Sequence, residues 1–119
     1  MGLQKFEKPQ AVERLVFQVK PERLAEWLAL DHEIWTLGEA HRSPALLRKE
    51  IWLNEAVPGE VHCIIFWSDI HLWMSIDPQW LAETEKTFVD RFGGEDFQFV
   101  RSDHGDGIQC FKISEFNRT

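Results

Sequence analysis

Leu46–Leu53 (LLRKEIWL), Asn54–Glu60 (NEAVPGE) and Val61–Trp67 (VHCIIFW) decide the fold. Two short runs rich in Leu, Ile, Val, Phe and Trp flank a connection that carries Pro58-Gly59. Such runs read as paired strands, and the Pro-Gly pair marks the turn between them. Upstream, Val12–Val19 has the same apolar, β-branched character and reads as another strand. Pro21 then suits a first helical position, where its missing N–H costs nothing. Leu24, Trp27, Leu28, Ile34 and Trp35 follow at helical spacing. They predict a helix from Pro21 to Leu37, with Gly38 able to stop it and a loop over Glu39–Pro44.

Downstream of the hairpin, Ser68 or Asp69 caps a short turn through Trp73, and Asp77-Pro78 is an N-cap and first-turn pair. Leu81, Thr84, Phe88 and Phe92 share one face of a second long helix, ended by Gly93-Gly94. Phe97–Arg101 reads as a fourth strand, the polar loop Ser102–Gly107 follows, and Ile108–Ile113 reads as a fifth strand. The order β-α-β-β-α-β predicts an α+β, ferredoxin-like antiparallel sheet with helices on one face and an extra C-terminal strand. Residues 1–10 read as a flexible polar leader and 11–119 as one domain.

Composition narrows the function classes. The chain has 119 residues, 44% of them apolar, enough for one core. A net charge of −7 without Lys/Arg clusters argues against a nucleic-acid partner. No apolar stretch approaches the roughly 18 residues of a membrane span. A cytoplasmic protein with no membrane partner is expected, and Cys63 and Cys110 are expected to be buried free thiols.

Strand parity predicts an assembly. Leu15, Phe17 and Val19 face one way, with Val61, Cys63, Ile65 and Trp67 and with Leu47, Ile51 and Leu53. That apolar face suits the helices. The opposite face mixes Val16, Trp52, Ile64 and Phe66 with Arg14, Arg48, Glu50 and His62. A solvated face seldom carries four large apolar groups, so a partner sheet is expected to cover it in a homodimer.

The segment Glu50-Ile51-Trp52, the Pro-Gly turn and Ile65-Phe66-Trp67-Ser68-Asp69 resemble the dimeric α/β-barrel superfamily, which includes antibiotic-biosynthesis-monooxygenase-like proteins. The run Asp31-His32-Glu33-Ile34-Trp35-Thr36, with Lys49–Leu53 after it, is similar to a group of cyanobacterial proteins of that fold. The resemblance spans roughly residues 11–103 and implies a homodimer. Its haem-degrading branch uses a Trp ending the third strand, an Asn on the first strand and a His on the second helix. Trp67 matches, but Val12–Val19 has no Asn and Pro78–Phe92 has no His. The quinol-type oxygenases rely on Tyr and Asn, and this chain has no Tyr. No cofactor is therefore expected.

Six Trp pose the functional question: a packed aromatic core or an aromatic-lined pocket. Trp67, Trp35, Phe17 and Asp31 are candidates for lining such a pocket. Asp31 falls on the apolar stripe of the first helix, where a desolvated carboxylate gains basicity. The competing reading makes Asp31 an edge residue bonded to an Arg or a backbone N–H. If Asp31 is unpaired, Asp31→Asn leaves the melt of the ligand-free protein nearly unchanged. Arg14, Glu50 and His62 are a second candidate set, either a ligand-binding patch or intersubunit ion pairs. The His residues show no metal-ligand spacing, and Asp103–Gly107 reads as a solvated turn rather than an ion loop. No phosphate-binding glycine loop or hydrolase elbow occurs. Three readings survive: a binder of a small apolar or aromatic metabolite, a cofactor-independent monooxygenase-like enzyme, and a non-catalytic dimeric module. Cavity volume separates the first two from the third.

Overall fold

The computed structural model describes residues 2–103 and 109–118. Strand β1 spans Gly2–Val19, and a 3-10 turn over Pro21–Arg23 leads into helix α1, Leu24–Leu30. A π-helical turn, Asp31–Thr36, joins α1 to α2, Leu37–Arg42. The hairpin strands are β2, Leu46–Leu53, and β3, Glu60–Trp67. Helices α3, Ile70–Met74, and α4, Pro78–Phe92, follow, then β4, Phe97–Ser102, and β5, Cys110–Asn117. Asp69 and Asp77 cap α3 and α4 by accepting from the Leu72 and Gln79 N–H groups.

The sheet runs β2-β3-β1-β4, antiparallel throughout, with β5 also paired to β1. This is the ferredoxin-like order that the sequence predicts. Gly59 makes the β2–β3 connection: its φ is +83°, and a Cβ there would lie 2.0 Å from the Val19 carbonyl oxygen.

Four expectations change. Gly38 does not end the first helix; the chain stays helical to Arg42. A Cβ at Gly38 would sit 3.0 Å from the Trp80 ring, so the glycine serves close helix approach. The polar leader is strand: Gly2–Lys5 and Gln10–Val12 pair with β5. A two-stranded ribbon does not require two apolar faces, so its sequence carries little apolar signal. Strand β5 spans Cys110–Asn117 and so runs past the expected end at Ile113; Ile108 lies outside the described residues, and Cys110 is exposed rather than buried. Leu47 leaves the helix-facing set, because the β2–β3 register shifts between Leu46 and Arg48.

The outer face also differs from the expectation. Val16, Ile64 and Phe66 are already buried within one chain, while Trp52 is 48% exposed. The ribbon supplies part of the cover. Lys112 of β5 lies 5.6 Å from the Phe6 ring and 5.1 Å from the Phe66 ring. Arg48 stacks 4.4 Å from Phe66 on the same face.

On the inner face two core clusters form. One joins Val19, Trp27, Leu30, Val61, Cys63, Phe88 and Phe92. The other joins Ala11, Ala45, Ile65, Trp67, Trp73 and Ile76. Between them lies a space that the side chains do not fill.

Candidate functional site

That space is a cavity of about 440 Å³ between the sheet and the helices. Its floor is Glu13, Leu15 and Phe17 of β1, with Cys63 and Ile65 of β3 and Lys49 of β2. Its wall is Asp31, Trp35 and Glu39, its roof Leu81 and Glu85 of α4, and Phe99 of β4 completes it. Phe99 is 55% exposed, so the cavity opens on the β4 side.

The π turn explains how Asp31, Trp35 and Glu39 share one wall. In an α-helix, residues four apart drift by about 40° around the axis. Over three such steps from Trp27 the drift would swing Glu39 away from the sheet. The π turn closes i→i+5 bonds, seen where the Leu37 N–H reaches the His32 carbonyl, and so lowers the rotation per residue. The drift reverses, and Asp31 and Glu39 are both buried.

The polar groups of the cavity fall into two states. Lys49 donates to Asp31 over 2.6 Å and to the Thr36 hydroxyl over 2.9 Å. Both ends of this pair are buried, with side-chain exposures of 9% and 7%. Asp31 is therefore no free base; it is one half of an ion pair. The same pair also lines a second pocket of about 190 Å³ on its other side, beside His32, so it is a partition between the two.

The remaining carboxyls lack such a cation. Glu13 accepts a hydrogen bond from Trp67 Nε1 at 3.1 Å. Burial, with Glu39 nearby, pushes its pKa up to about 8. Glu39 makes no side-chain hydrogen bond among the described residues and is 8% exposed. Burial pushes its pKa up to about 7, against the pull of Lys49 and with the help of Asp31. Burial also raises Glu85, and it pushes the Cys63 thiol up to about 12, which leaves it inert at neutral pH. Carboxyls that titrate near neutrality in an apolar cavity are equipped to take and return protons.

The structure divides the residues singled out from sequence. Trp35, Phe17 and Asp31 line the cavity. Trp67 does not: it is fully buried, stacked on Trp73 with ring centroids 5.7 Å apart, and its indole N–H donates to the cavity residue Glu13. Arg14, Glu50 and His62 lie on the opposite sheet face. There Arg14 meets His62 Nδ1 at 3.3 Å, His62 Nε2 meets Glu60 at 2.7 Å, and Arg48 pairs with Glu50 at 2.7 Å. Asp103, the first residue of the stretch read as a solvated turn, pairs with Arg14 at 3.4 Å; residues 104–107 lie outside the described residues. Among the described residues no group of three or more His, Cys, Asp or Glu is placed to hold a metal ion.

Sequence reasoning missed Glu13, Glu39, Lys49 and Glu85. A signal existed for two of them. Glu13 has the parity of Leu15 and Phe17, and Lys49 that of Ile51, so both are charges on the apolar face. A charge on that face needs a partner or a perturbed pKa.

Solved structures share this architecture. A protein assigned as an antibiotic biosynthesis monooxygenase from Bordetella bronchiseptica superposes with a TM-score of 0.56 at 17% identity, over 79% of this chain and 94% of its own. One so assigned from Bacteriodes thetaiotaomicron gives 0.54 at 18% identity, over 78% and 84%. A dimeric ferredoxin-like protein from an uncultured marine organism gives 0.54 at 13% identity, over 92% and 94%. The chain has their fold. No protein-family model and no curated protein matches its sequence. At these identities the likeness describes architecture; the cavity's chemistry is read from this chain's own residues. No helix among the described residues is long and apolar enough to cross a membrane.

Proposed function

We propose that the protein binds a small apolar or aromatic metabolite in the inner cavity and moves a proton on it through Glu39. One observation carries this reading: a space of about 440 Å³, walled by Phe17, Trp35, Leu81 and Phe99, is lined by the buried residue Glu39, whose carboxyl has no hydrogen-bond partner among the described residues. Apolar walls with a few converging polar groups are the usual form of a small-molecule site. A non-catalytic module has no use for such a space, since close packing would stabilise it more.

The test is a melt series with neutral aromatic and terpenoid compounds. Binding is expected to raise Tm in the wild type. Leu81→Trp, which fills the cavity, is expected to abolish the rise while the protein stays folded. A ligand that binds should exchange its acidic C–H for deuterium in D2O, at least about a hundredfold more slowly in Glu39→Gln. If no compound shifts the melt, or if Leu81→Trp leaves the shift intact, the reading fails.

A second reading places oxygen chemistry at the same site. Two of the structural neighbours are assigned as antibiotic biosynthesis monooxygenases. Removal of a proton from a phenol or enol by Glu39 would make the electron-rich anion that reacts with oxygen without a cofactor. Oxygen uptake that depends on the bound compound separates this reading from simple proton transfer.

We further propose a homodimer built on the outer face. Exposed Trp52 and Val100 support it, and one neighbour is described as dimeric. Sedimentation at micromolar concentration is expected to give about twice the 14.0 kDa chain mass. Trp52→Glu is expected to weaken the dimer at least about tenfold, because it places a carboxylate in an apolar contact. A monomer in the wild type would refute the proposal.

A further inference from the structure

Charge, aromatic lining and an unpartnered acceptor together narrow the ligand of the cavity, given the reading above that the cavity binds a small molecule at all. Lys49 is the one cation among its described lining residues, and Asp31 and Thr36 already occupy it at 2.6 and 2.9 Å. An anionic ligand would have to displace Asp31 to reach it. Against this single committed cation stand Glu13, Glu39 and Glu85. Trp67 Nε1 already donates to Glu13. Glu39 is 8% exposed as a residue, lines the cavity, and its carboxyl makes no hydrogen bond among the described residues, so its oxygens are left open to the cavity. It is an acceptor without a donor.

The rings fit the same chemistry. Phe17, Trp35 and Phe99 border the space, and Phe17 meets Phe99 edge-on with centroids 5.6 Å apart. Aromatic faces attract cations through their quadrupoles, and rings beside a carboxylate form a common receptor for ammonium groups. We infer that the cavity takes an apolar or aromatic amine, its protonated nitrogen held by Glu39 and its hydrocarbon body by Phe17, Trp35 and Leu81. A bound ammonium would satisfy Glu39 and offset the excess of carboxyls around it, which a neutral hydroxyl would do only in part.

Three probes with one ring system test this: tryptamine, tryptophol and indole-3-propionate, each titrated calorimetrically into the wild type and Glu39→Gln. Tryptamine is expected to bind the wild type about tenfold or more tightly than tryptophol at pH 8, the gain typical of a hydrogen bond to a charged group. Indole-3-propionate is expected to bind weakest. Glu39→Gln should erase the preference for the amine while tryptophol still binds measurably through its ring contacts, so that a folding defect is distinguishable from loss of the carboxylate. The preference should also shrink at pH 5.5, where Glu39 holds its proton. Glu13, Asp31, Lys49, Cys63 and Glu85 face the same space, so the pH comparison is repeated in Glu39→Gln, where it is expected to flatten.

Equal binding of amine and alcohol, or tightest binding of the acid, would overturn the amine inference while leaving a binding cavity. If none of the three binds but the neutral dye Nile red enters the wild type and not Leu81→Trp, the amine inference fails and the cavity reading stands. If the dye does not enter either, both fail.

Discussion

Replacing Lys49 with methionine is expected to destabilise the protein by about 3–5 kcal/mol at neutral pH, the usual cost of stripping one partner from a buried ion pair. Lys49 and Asp31 are 2.6 Å apart and both almost fully buried. Without the ammonium, Asp31 must either hold an unpaired charge in an apolar wall or take up a proton. The double variant Lys49→Met/Asp31→Leu should recover most of the loss, because a pair replaced by apolar groups of similar size is often neutral. Denaturant titration of the four proteins checks this. A cost below about 1 kcal/mol for Lys49→Met would mean that water reaches the pair and that the partition between the two pockets is open. Asp31→Asn is also expected to lower the melt, contrary to what an unpaired Asp31 would give.

The fold was legible because its signals are local. The hairpin of β2 and β3, the Asp69 and Asp77 caps and the Leu81–Phe92 stripe depend on residues close in sequence, and each appears where read. The site was only partly legible, for three physical reasons. Gly38 reads as a helix stop, but its missing Cβ makes room for Trp80, so the chain continues and buries Glu39. The π turn resets the phase of the helix, and no periodicity in the sequence announces it. Trp67, the residue that most resembled a ligand-binding indole, is packed on Trp73 and reaches Glu13 through its indole N–H. What a strand residue faces follows from parity; what it touches across 54 residues of chain, as Trp67 touches Glu13, does not.

The pH dependence of stability is the second large effect, and Glu13 should dominate it. Its carboxyl titrates near 4.5 in the unfolded chain and at about 8 in the folded one; Glu39 moves from 4.5 to about 7. Between those values the folded protein holds protons that the unfolded chain has released. Stability therefore falls as pH rises, by up to about 1.4 kcal/mol per pH unit for each group. The penalty is absent below pH 4.5, grows through pH 7 and is complete once Glu13 ionises above about 8. For Glu13 alone it amounts to something on the order of 5 kcal/mol. Lowered carboxyls such as Asp69, held near 2 by Lys8 and the Leu72 N–H, act in the opposite sense. Their windows lie below about pH 4.5 and do not overlap. The protein should thus be most stable near pH 5 and lose several kcal/mol by pH 9. Glu13→Gln removes the ionisable group yet keeps an oxygen to accept from Trp67 Nε1. It should leave stability at pH 5 within about 1 kcal/mol of the wild type and raise it by several kcal/mol at pH 9, flattening the profile. Urea titrations of both proteins across that range measure the slope directly. A wild-type profile that is flat, or that rises from pH 5 to 9, would show that Glu13 is solvated in the folded state and that the cavity is not the dry, carboxyl-bearing space on which its proposed proton chemistry depends.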